Sequence, residues 1–150
     1  MRTMICGGGT AGHVYPALAV VEALRDLGER QEDILYVGAA GSVEEKLAGR
    51  QGLAFARVES GQLRGMAPWT MMRSLARAAR GVLQARRALA HFRPHVLFST
   101  GGYASAPALI AAHSVGLPTL IFLPDAEPGI TIKLLSRLAQ RVAVSFEEVR

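Results

Sequence analysis

Acidic residues are missing from a long internal stretch of this 150-residue sequence. Between Glu59 and Asp125 there is no aspartate or glutamate, whereas the same stretch holds seven arginines. This half of the chain is therefore cationic, and its natural partners are anions such as nucleic acid, anionic lipid or phosphorylated small molecules. Aromatic residues are also few, and they are not interleaved with the arginines as base-stacking platforms would be. Nucleic acid is therefore not expected as a partner.

Cysteines and long hydrophobic runs are scarce as well. Cys6 is the only cysteine, so no disulfide can form within the chain, and we interpret it as a packing residue. No apolar run reaches the 18 residues of a membrane-spanning helix. The sequence passes from Met1 directly into a predicted strand, with no room for a secretion signal. We expect one cytoplasmic domain over residues 1–150, of a size that buries a sizeable core.

Short apolar runs alternate with helical patterns along the chain. The predicted strands are 3–6, 34–37, 54–58, 96–99, 119–122 and 142–144, and the predicted helices are 17–27, 43–51, 68–92, 104–115 and 129–138. Strands of this length alternating with helices indicate a parallel sheet covered on both faces. The predicted fold class is α/β, a doubly wound, Rossmann-like domain.

Four glycines, Gly7, Gly8, Gly9 and Gly12, follow the first predicted strand and lead into a helix. Backbone N–H groups and a helix N-terminus then meet at one point, which predicts a phosphate-binding loop. Pro16 is predicted in the first turn of that helix. The spacing also fits the dinucleotide fingerprint, which demands an acid at the tip of the second strand.

No carboxylate stands at that tip, where the sequence reads Gly38-Ala39-Ala40-Gly41-Ser42. Glu44 and Glu45 come later and are interpreted as ordinary acids in the first turn of a helix, where they complement its dipole. A dinucleotide-binding oxidoreductase therefore stays only as an alternative, which tight NADH binding would revive.

Two further loops follow the fourth and fifth predicted strands. In doubly wound sheets ligands bind at the carboxyl ends of the strands, where the strand order reverses. The glycine pair in the loop 100–105 is therefore expected to face the first glycine loop. The third loop carries Asp125 and Glu127, which could orient sugar hydroxyls or act as a base, or could simply form a turn and start a helix.

One histidine of the four, His13, lies in a glycine loop. Because imidazole exchanges protons near neutral pH, we interpret His13 as facing the ligand. The long predicted helix carries a basic stripe, with apolar residues clustered at its beginning. The stripe consists of Arg73, Arg77, Arg80, Gln84 and Arg87. It is either a solvated charged face or a surface that lies on an anionic membrane.

Several stretches together resemble the N-terminal half of the MurG family of bacterial peptidoglycan glycosyltransferases. They are Gly7 to Val20, Gly61-x-Leu63-Arg64-Gly65, Gly101 to Pro107, Gly116-Leu117-Pro118 and Pro128-Gly129-Ile130-Thr131, in order and with similar spacing. The resemblance implies the N-terminal half of a GT-B enzyme, in which two Rossmann-like domains meet at the reaction cleft. It also implies transfer of N-acetylglucosamine from UDP-N-acetylglucosamine to a lipid-linked muramoyl-pentapeptide, with inversion and without a metal or other cofactor.

The resemblance implies a role for particular residues. The donor diphosphate would be met by Thr10, Ala11, Gly12, His13 and Asp125. The acceptor would be held by Gly101, Gly102, Tyr103, Ser105 and Arg64, and the membrane would be met by Trp69, Met72, Arg73, Arg77 and Arg80. His13 would position or deprotonate the acceptor hydroxyl. Such an enzyme works on the inner face of the cell membrane as a peripheral protein.

The sequence departs from the family in one loop. Where the family usually reads His-Glu-Gln-Asn, this chain has Phe122-Leu123-Pro124-Asp125. A transferase acting on another lipid-linked sugar is therefore an alternative. The chain also ends where a GT-B enzyme would cross to its second domain, which predicts either an excised domain or the acceptor-side subunit of a two-chain transferase. We expect no sugar transfer by these 150 residues alone. An anionic-lipid-binding module is the remaining non-enzymatic alternative.

Overall fold

Six parallel strands form a single sheet in the order β3-β2-β1-β4-β5-β6. The computed structural model describes residues 1–60, 68–124 and 135–145, without the side chains of residues 68–71. The strands are β1 (Thr3–Cys6), β2 (Ile34–Ala39), β3 (Ala54–Val58), β4 (Val96–Ser99), β5 (Thr119–Leu123) and β6 (Arg141–Val144). Each predicted strand is present within two residues at either end. The doubly wound α/β fold is therefore confirmed.

Four α-helices connect these strands in the described part of the chain. They are α1 (Ala11–Asp26), α2 (Val43–Arg50), α3 (Pro68–Phe92) and α4 (Ala106–Ser114). Short 3₁₀ turns cover Gln31–Asp33, Tyr103–Ser105 and Ser136–Leu138. The helix predicted over 129–138 falls mainly outside the described residues.

The sheet separates two apolar layers. Side chains alternate between the two faces of a strand, so Met4 and Cys6 of β1 enter one layer and Ile5 enters the other. The first layer is completed by residues of α3 and α4, and the second by residues of α1 and α2. Both faces of the inner strands are therefore buried, as the continuous apolar runs predict.

The strand order reverses between β1 and β4. Cys6, the last residue of β1, is in register with Val37 of β2 on one side and Ser99 of β4 on the other. The loops that follow β1 and β4 therefore leave the same edge of the sheet side by side. The predicted switch point is confirmed, and it places the two glycine loops next to each other.

Helix α1 begins earlier than predicted. Thr10 is its extended N-cap, and the N–H groups of His13 and Val14 donate to the Thr10 carbonyl at 3.1 and 3.3 Å. Pro16 consequently lies inside the helix, so its predicted place in the first turn is wrong. The ring removes the bond that the Gly12 carbonyl would otherwise accept. Gly12 is exposed to solvent, so water can bond its free carbonyl, and a proline is therefore tolerated at position 16.

Candidate active site

The three glycines that directly follow β1 are packed against side chains of this same chain. A Cβ at Gly7 would overlap the Thr100 hydroxyl, and one at Gly9 would overlap the Tyr103 ring. Gly9 also has a φ of +92°, which favours glycine. The glycines at the start of the loop are thus required by contacts within the protein.

Glu44 fills the space beside Gly8, the middle one of these three glycines. A Cβ at Gly8 would lie 2.5 Å from the Glu44 carboxyl group, and one at Gly38 would lie 2.7 Å from its Cγ. The side chain is 1% exposed, and its Oε1 accepts a hydrogen bond from the Ala39 N–H at 3.3 Å. Glu44 lies in the first turn of α2 as predicted, but it is buried under the glycine loop, which the interpretation as an ordinary helix-start acid did not foresee. The absence of side chains at Gly8 and Gly38 was the signal in the sequence that space existed for it.

Tyr36 supports the same loop from below. Its hydroxyl donates to the Gly7 carbonyl at 2.5 Å, and its ring stacks on Phe55 with centroids 5.8 Å apart. Burial, together with the nearby Cys6 and Glu44, raises the pKa of the Tyr36 hydroxyl above its usual range. The neighbouring thiol behaves likewise, because burial raises the pKa of Cys6 to about 12, with a smaller opposing effect from Ser99. The Tyr36 hydroxyl thus holds the loop at Gly7, and both groups stay protonated at neutral pH.

The second glycine loop closes directly on the first. Gly101 and Gly102 have φ values of +85° and +83°, and the Gly8 N–H donates to the Gly101 carbonyl at 3.4 Å. A Cβ at Gly102 would overlap the Gly8 carbonyl. Ser105 is fully buried, and its hydroxyl donates to the Gly102 carbonyl at 2.7 Å, so it shapes this loop. The expectation that the two loops face each other is confirmed.

His13 joins the two loops. Its Nδ1 lies 2.9 Å from the Thr100 carbonyl oxygen, and the Thr100 hydroxyl donates to the His13 carbonyl at 2.5 Å. Because a carbonyl oxygen can only accept, Nδ1 carries a proton in this contact. In the neutral ring Nε2 is then the proton acceptor. The fold therefore fixes the tautomer that a general base requires.

The beginning of α1 is accessible to solvent, in contrast to the packed glycines at the start of the loop. Thr10, Ala11 and Gly12 are exposed, and the Thr10 side chain makes no capping hydrogen bond. The nearest atom to a Cβ at Gly12 is the Thr10 hydroxyl oxygen at 3.8 Å. A helix N-terminus with this accessibility attracts phosphate through its N–H groups and its dipole. The predicted donor-side residues Thr10 to His13 are thus brought together at one accessible point.

The basic stripe of α3 is exposed at each of its arginines. Arg73, Arg77, Arg80 and Arg87 are all exposed, and Arg77 and Gln84 also line a cleft beside the end of β3. Gln84 is half-buried, and its Oε1 accepts the Glu59 N–H at 2.7 Å, so the one uncharged residue of the stripe is held by the protein. Met72 is 73% exposed and Leu75 is 59% exposed on the same helix.

Three of the predicted site residues cannot be placed. Arg64 and Asp125 lie outside the described residues, and so does the side chain of Trp69. Within the described part of the chain, no helix is both long enough and apolar enough to cross a bilayer.

A doubly wound domain with paired glycine loops and a histidine at its switch point defines a class of nucleotide-using α/β proteins, to which the Rossmann-like halves of GT-B glycosyltransferases belong. Residues 3–144 match the model of the glycosyltransferase family 28 N-terminal domain. The chain belongs to this family.

Two relatives of the chain share the same name. A protein of Desulforudis audaxviator is 42% identical over 99% of the chain, and one of Geotalea uraniireducens is 38% identical over 100%. Both are named UDP-N-acetylglucosamine–N-acetylmuramyl-(pentapeptide) pyrophosphoryl-undecaprenol N-acetylglucosamine transferase. The crystal structure of Acinetobacter baumannii MurG superimposes on the whole chain with a TM-score of 0.82 at 25% identity.

The chain is much shorter than these relatives. It spans 39% and 41% of the lengths of the two named transferases and 42% of the MurG crystal structure.

Proposed function

We propose that this chain is the acceptor-side half of a transferase that moves N-acetylglucosamine from UDP-N-acetylglucosamine to a lipid-linked muramoyl-pentapeptide in peptidoglycan synthesis. The observation that carries the proposal is the His13 ring, held by Thr100 where the two glycine loops meet. The names of the relatives support the choice of substrates. The nucleotide-sugar-binding half is supplied by a C-terminal domain of the same polypeptide or by a separate subunit.

The chemistry follows from the contacts of the site. The N–H groups at the start of α1 face the donor diphosphate and stabilise the charge that develops as UDP leaves. His13 Nε2 takes the proton of the acceptor hydroxyl while that oxygen attacks the anomeric carbon of the donor sugar. One carbon–oxygen bond forms as the bond to UDP breaks, so a single displacement inverts the anomeric centre.

The departure from the family loop bears on the acceptor. Phe122 and Leu123 lie in β5, where Leu123 is 6% exposed in one apolar layer and Phe122 packs against the other. These two substitutions therefore change the core of the sheet more than the surface that a substrate meets. The proposed acceptor is the muramoyl-pentapeptide, and another lipid-linked sugar is the alternative that the activity assay distinguishes.

The test is UDP release by this chain joined to its C-terminal half, with UDP-N-acetylglucosamine and the lipid-linked muramoyl-pentapeptide. His13→Ala is expected to lower turnover by roughly 100-fold or more, the scale of a lost acid–base group. His91→Ala is the matched control, because His91 is exposed in the last turn of α3. Equal turnover in the two variants would remove His13 from the chemistry. No turnover with this acceptor, while the donor still binds, would move the search to other lipid-linked sugars.

The same chain is proposed to lie on the inner face of the cell membrane as a peripheral protein. Exposed Met72 and Leu75 next to Arg73 and Arg80 give α3 an apolar strip with a cationic border, which suits an anionic bilayer surface. Co-sedimentation with vesicles containing anionic lipid tests this. The double variant Arg73→Ala/Arg80→Ala is expected to pellet less than the wild type, and Arg50→Ala on α2 serves as the control. Equal pelleting of all three proteins would remove the membrane proposal.

A further inference from the structure

A cleft of about 450 Å³ opens beside the carboxyl ends of β2 and β3, away from the glycine loops. It is lined by Ala39 at the end of β2, by Ala40 after it, and by Arg57, Glu59, Ser60 and Arg77. This volume lies within the range of small-ligand sites. The chemistry described above makes no use of the cleft.

Helix α3 forms one wall of the cleft and packs closely against the end of β3. A Cβ at Gly81 would overlap the Glu59 carbonyl oxygen, so the helix approaches the end of β3 as closely as a backbone can. One turn further on, Gln84 accepts the Glu59 N–H at 2.7 Å. These two contacts fix α3 against β3 on one side of Arg77. The guanidinium group is therefore carried by a rigid element at the rim of the cleft.

One of the two arginines that line the cleft has a carboxylate partner, and the other has none among the described residues. Arg57 Nε donates to Glu45 Oε1 at 2.6 Å, and the other oxygen of that carboxylate accepts the Gly41 N–H, also at 2.6 Å. Arg77 and Glu59 form no ion pair with any residue that the structure describes. The cleft thus offers one unneutralised guanidinium group and one unneutralised carboxylate. A diphosphate carries two or more negative charges close together and would be repelled by Glu59 more strongly than a single carboxylate on a mostly neutral peptide chain.

The position of the cleft suits the peptide of the proposed acceptor. Because β3 is the second neighbour of β1, its end lies about 10 Å from the end of β1, at a spacing of about 4.8 Å per strand. In a muramoyl-pentapeptide the peptide is attached to the sugar that also carries the accepting hydroxyl. Five extended residues span about 17 Å. A sugar placed at His13 can therefore extend its peptide into the cleft.

We propose that this cleft binds the peptide of the acceptor, with the Arg77 guanidinium group donating hydrogen bonds to a peptide carboxylate. The inference rests on the proposed function and adds a site to it. It also gives Arg77 a role apart from Arg73 and Arg80, which are exposed on the same helix but do not line the cleft.

The test compares Arg77→Met with Arg86→Met in the transferase, using detergent-solubilised acceptor so that membrane contact is not measured. Both variants remove one guanidinium group from α3, and Arg86 is exposed and away from the cleft. Arg77→Met is expected to raise the KM for the acceptor about 10-fold, the scale of a lost charged hydrogen bond, with kcat and the donor KM unchanged. Arg86→Met is expected to match the wild type. Equal acceptor KM values in the two variants would overturn the inference.

A second acceptor, with its peptide carboxylates amidated, distinguishes the peptide from the diphosphate. Wild type and Arg77→Met are expected to have the same KM for this acceptor. A persisting 10-fold difference would assign Arg77 to the diphosphate and overturn the peptide site.

Failure of the proposed function has a different signature, since the wild type would then transfer sugar to neither acceptor. In that event binding of soluble muramoyl-pentapeptide to this chain, measured by NMR titration, decides the matter. Binding that Arg77→Met weakens and Arg86→Met leaves unchanged would support the cleft as a peptide site. Identical titrations would overturn it.

Discussion

The glycine motif that follows β1 contains two regions with opposite surroundings. In the first, Gly7 to Gly9, each missing side chain makes room for a group of this same chain: the Thr100 hydroxyl, the Glu44 carboxyl or the Tyr103 ring. In the second, at the start of α1, the nearest described side-chain atom to a Cβ at Gly12 is the Thr10 hydroxyl oxygen, at 3.8 Å. One motif therefore combines glycines that the protein needs for packing with a glycine that leaves space for something else.

This difference shows that a glycine in a sequence can have either of two structural roles. A glycine in a packed region is required by the fold, and replacing it disturbs the folded state. A glycine at an open helix N-terminus is required only when a ligand approaches. Stability and binding measurements on single alanine variants distinguish the two.

The largest effect on stability is expected for Gly102→Ala, in the second glycine loop, which packs against Gly8. The variant combines a φ of +83° with overlap of the Gly8 carbonyl, and both disfavour the folded state. We expect a loss of about 3 kcal/mol or more in the free energy of unfolding. Chemical denaturation measures it, with Gly116→Ala as a control that has a positive φ but where a Cβ would meet no described atom within 4 Å. Equal losses in both variants would mean that strain alone acts, without the close approach of the loops.

Gly8→Ala should follow, with a loss of about 1–3 kcal/mol, because its methyl group would meet the buried Glu44 carboxyl. The cost should shrink when the same change is made in a Glu44→Ala background. A double-mutant cycle measures this coupling. Gly49→Ala in α2 is the control, because a Cβ there would meet nothing within 4 Å among the residues that the structure describes. Additive losses from Gly8→Ala and Glu44→Ala would show that the carboxyl does not limit the space at Gly8.

The burial of Cys6, directly before the packed glycines, can be tested by measuring stability at alkaline pH. The folded state keeps this thiol protonated up to about 12, while the unfolded state ionises from 9.0. The unfolded chain therefore loses its proton first, and stability falls as pH rises through this window. We expect about 1 kcal/mol of the free energy of unfolding to be lost between pH 9 and pH 10. Cys6→Ala should show a shallower slope over that interval, and an unchanged slope would contradict the burial of the thiol.

The smallest effect on stability is expected for Gly12→Ala. Since alanine has a higher helix propensity than glycine, we expect the free energy of unfolding to rise by less than about 1 kcal/mol. Donor binding should nevertheless weaken by about 10-fold, because the new methyl group stands where the diphosphate approaches. Thermal unfolding and the donor KM measure the two quantities. A Gly12→Ala variant as unstable as Gly8→Ala would remove the distinction between the two regions.

Sequence patterns predicted the sheet well because inner parallel strands are short apolar runs that end at glycine or polar residues. They also placed His13 and Gly102 at one edge, since strand order in such sheets follows from few rules. The start of α1 was missed because Gly12 and His13 are weak helix formers, and tertiary contacts override that preference here. The burial of Glu44 and the cleft at Arg77 depend on how closely helices approach strands. That distance is set by side chains from several distant segments.

The pairing of His13 with Thr100 joins residues 87 positions apart in the chain. Neither glycine loop has its partner until β4 has been synthesised and has docked beside β1, so the entropy of closing a long chain segment must be overcome before the site exists. Contacts of this separation are among the slow events of folding. Assembly of the site therefore reports completion of the sheet: a nascent or misfolded chain that lacks the β1–β4 pair has no positioned histidine.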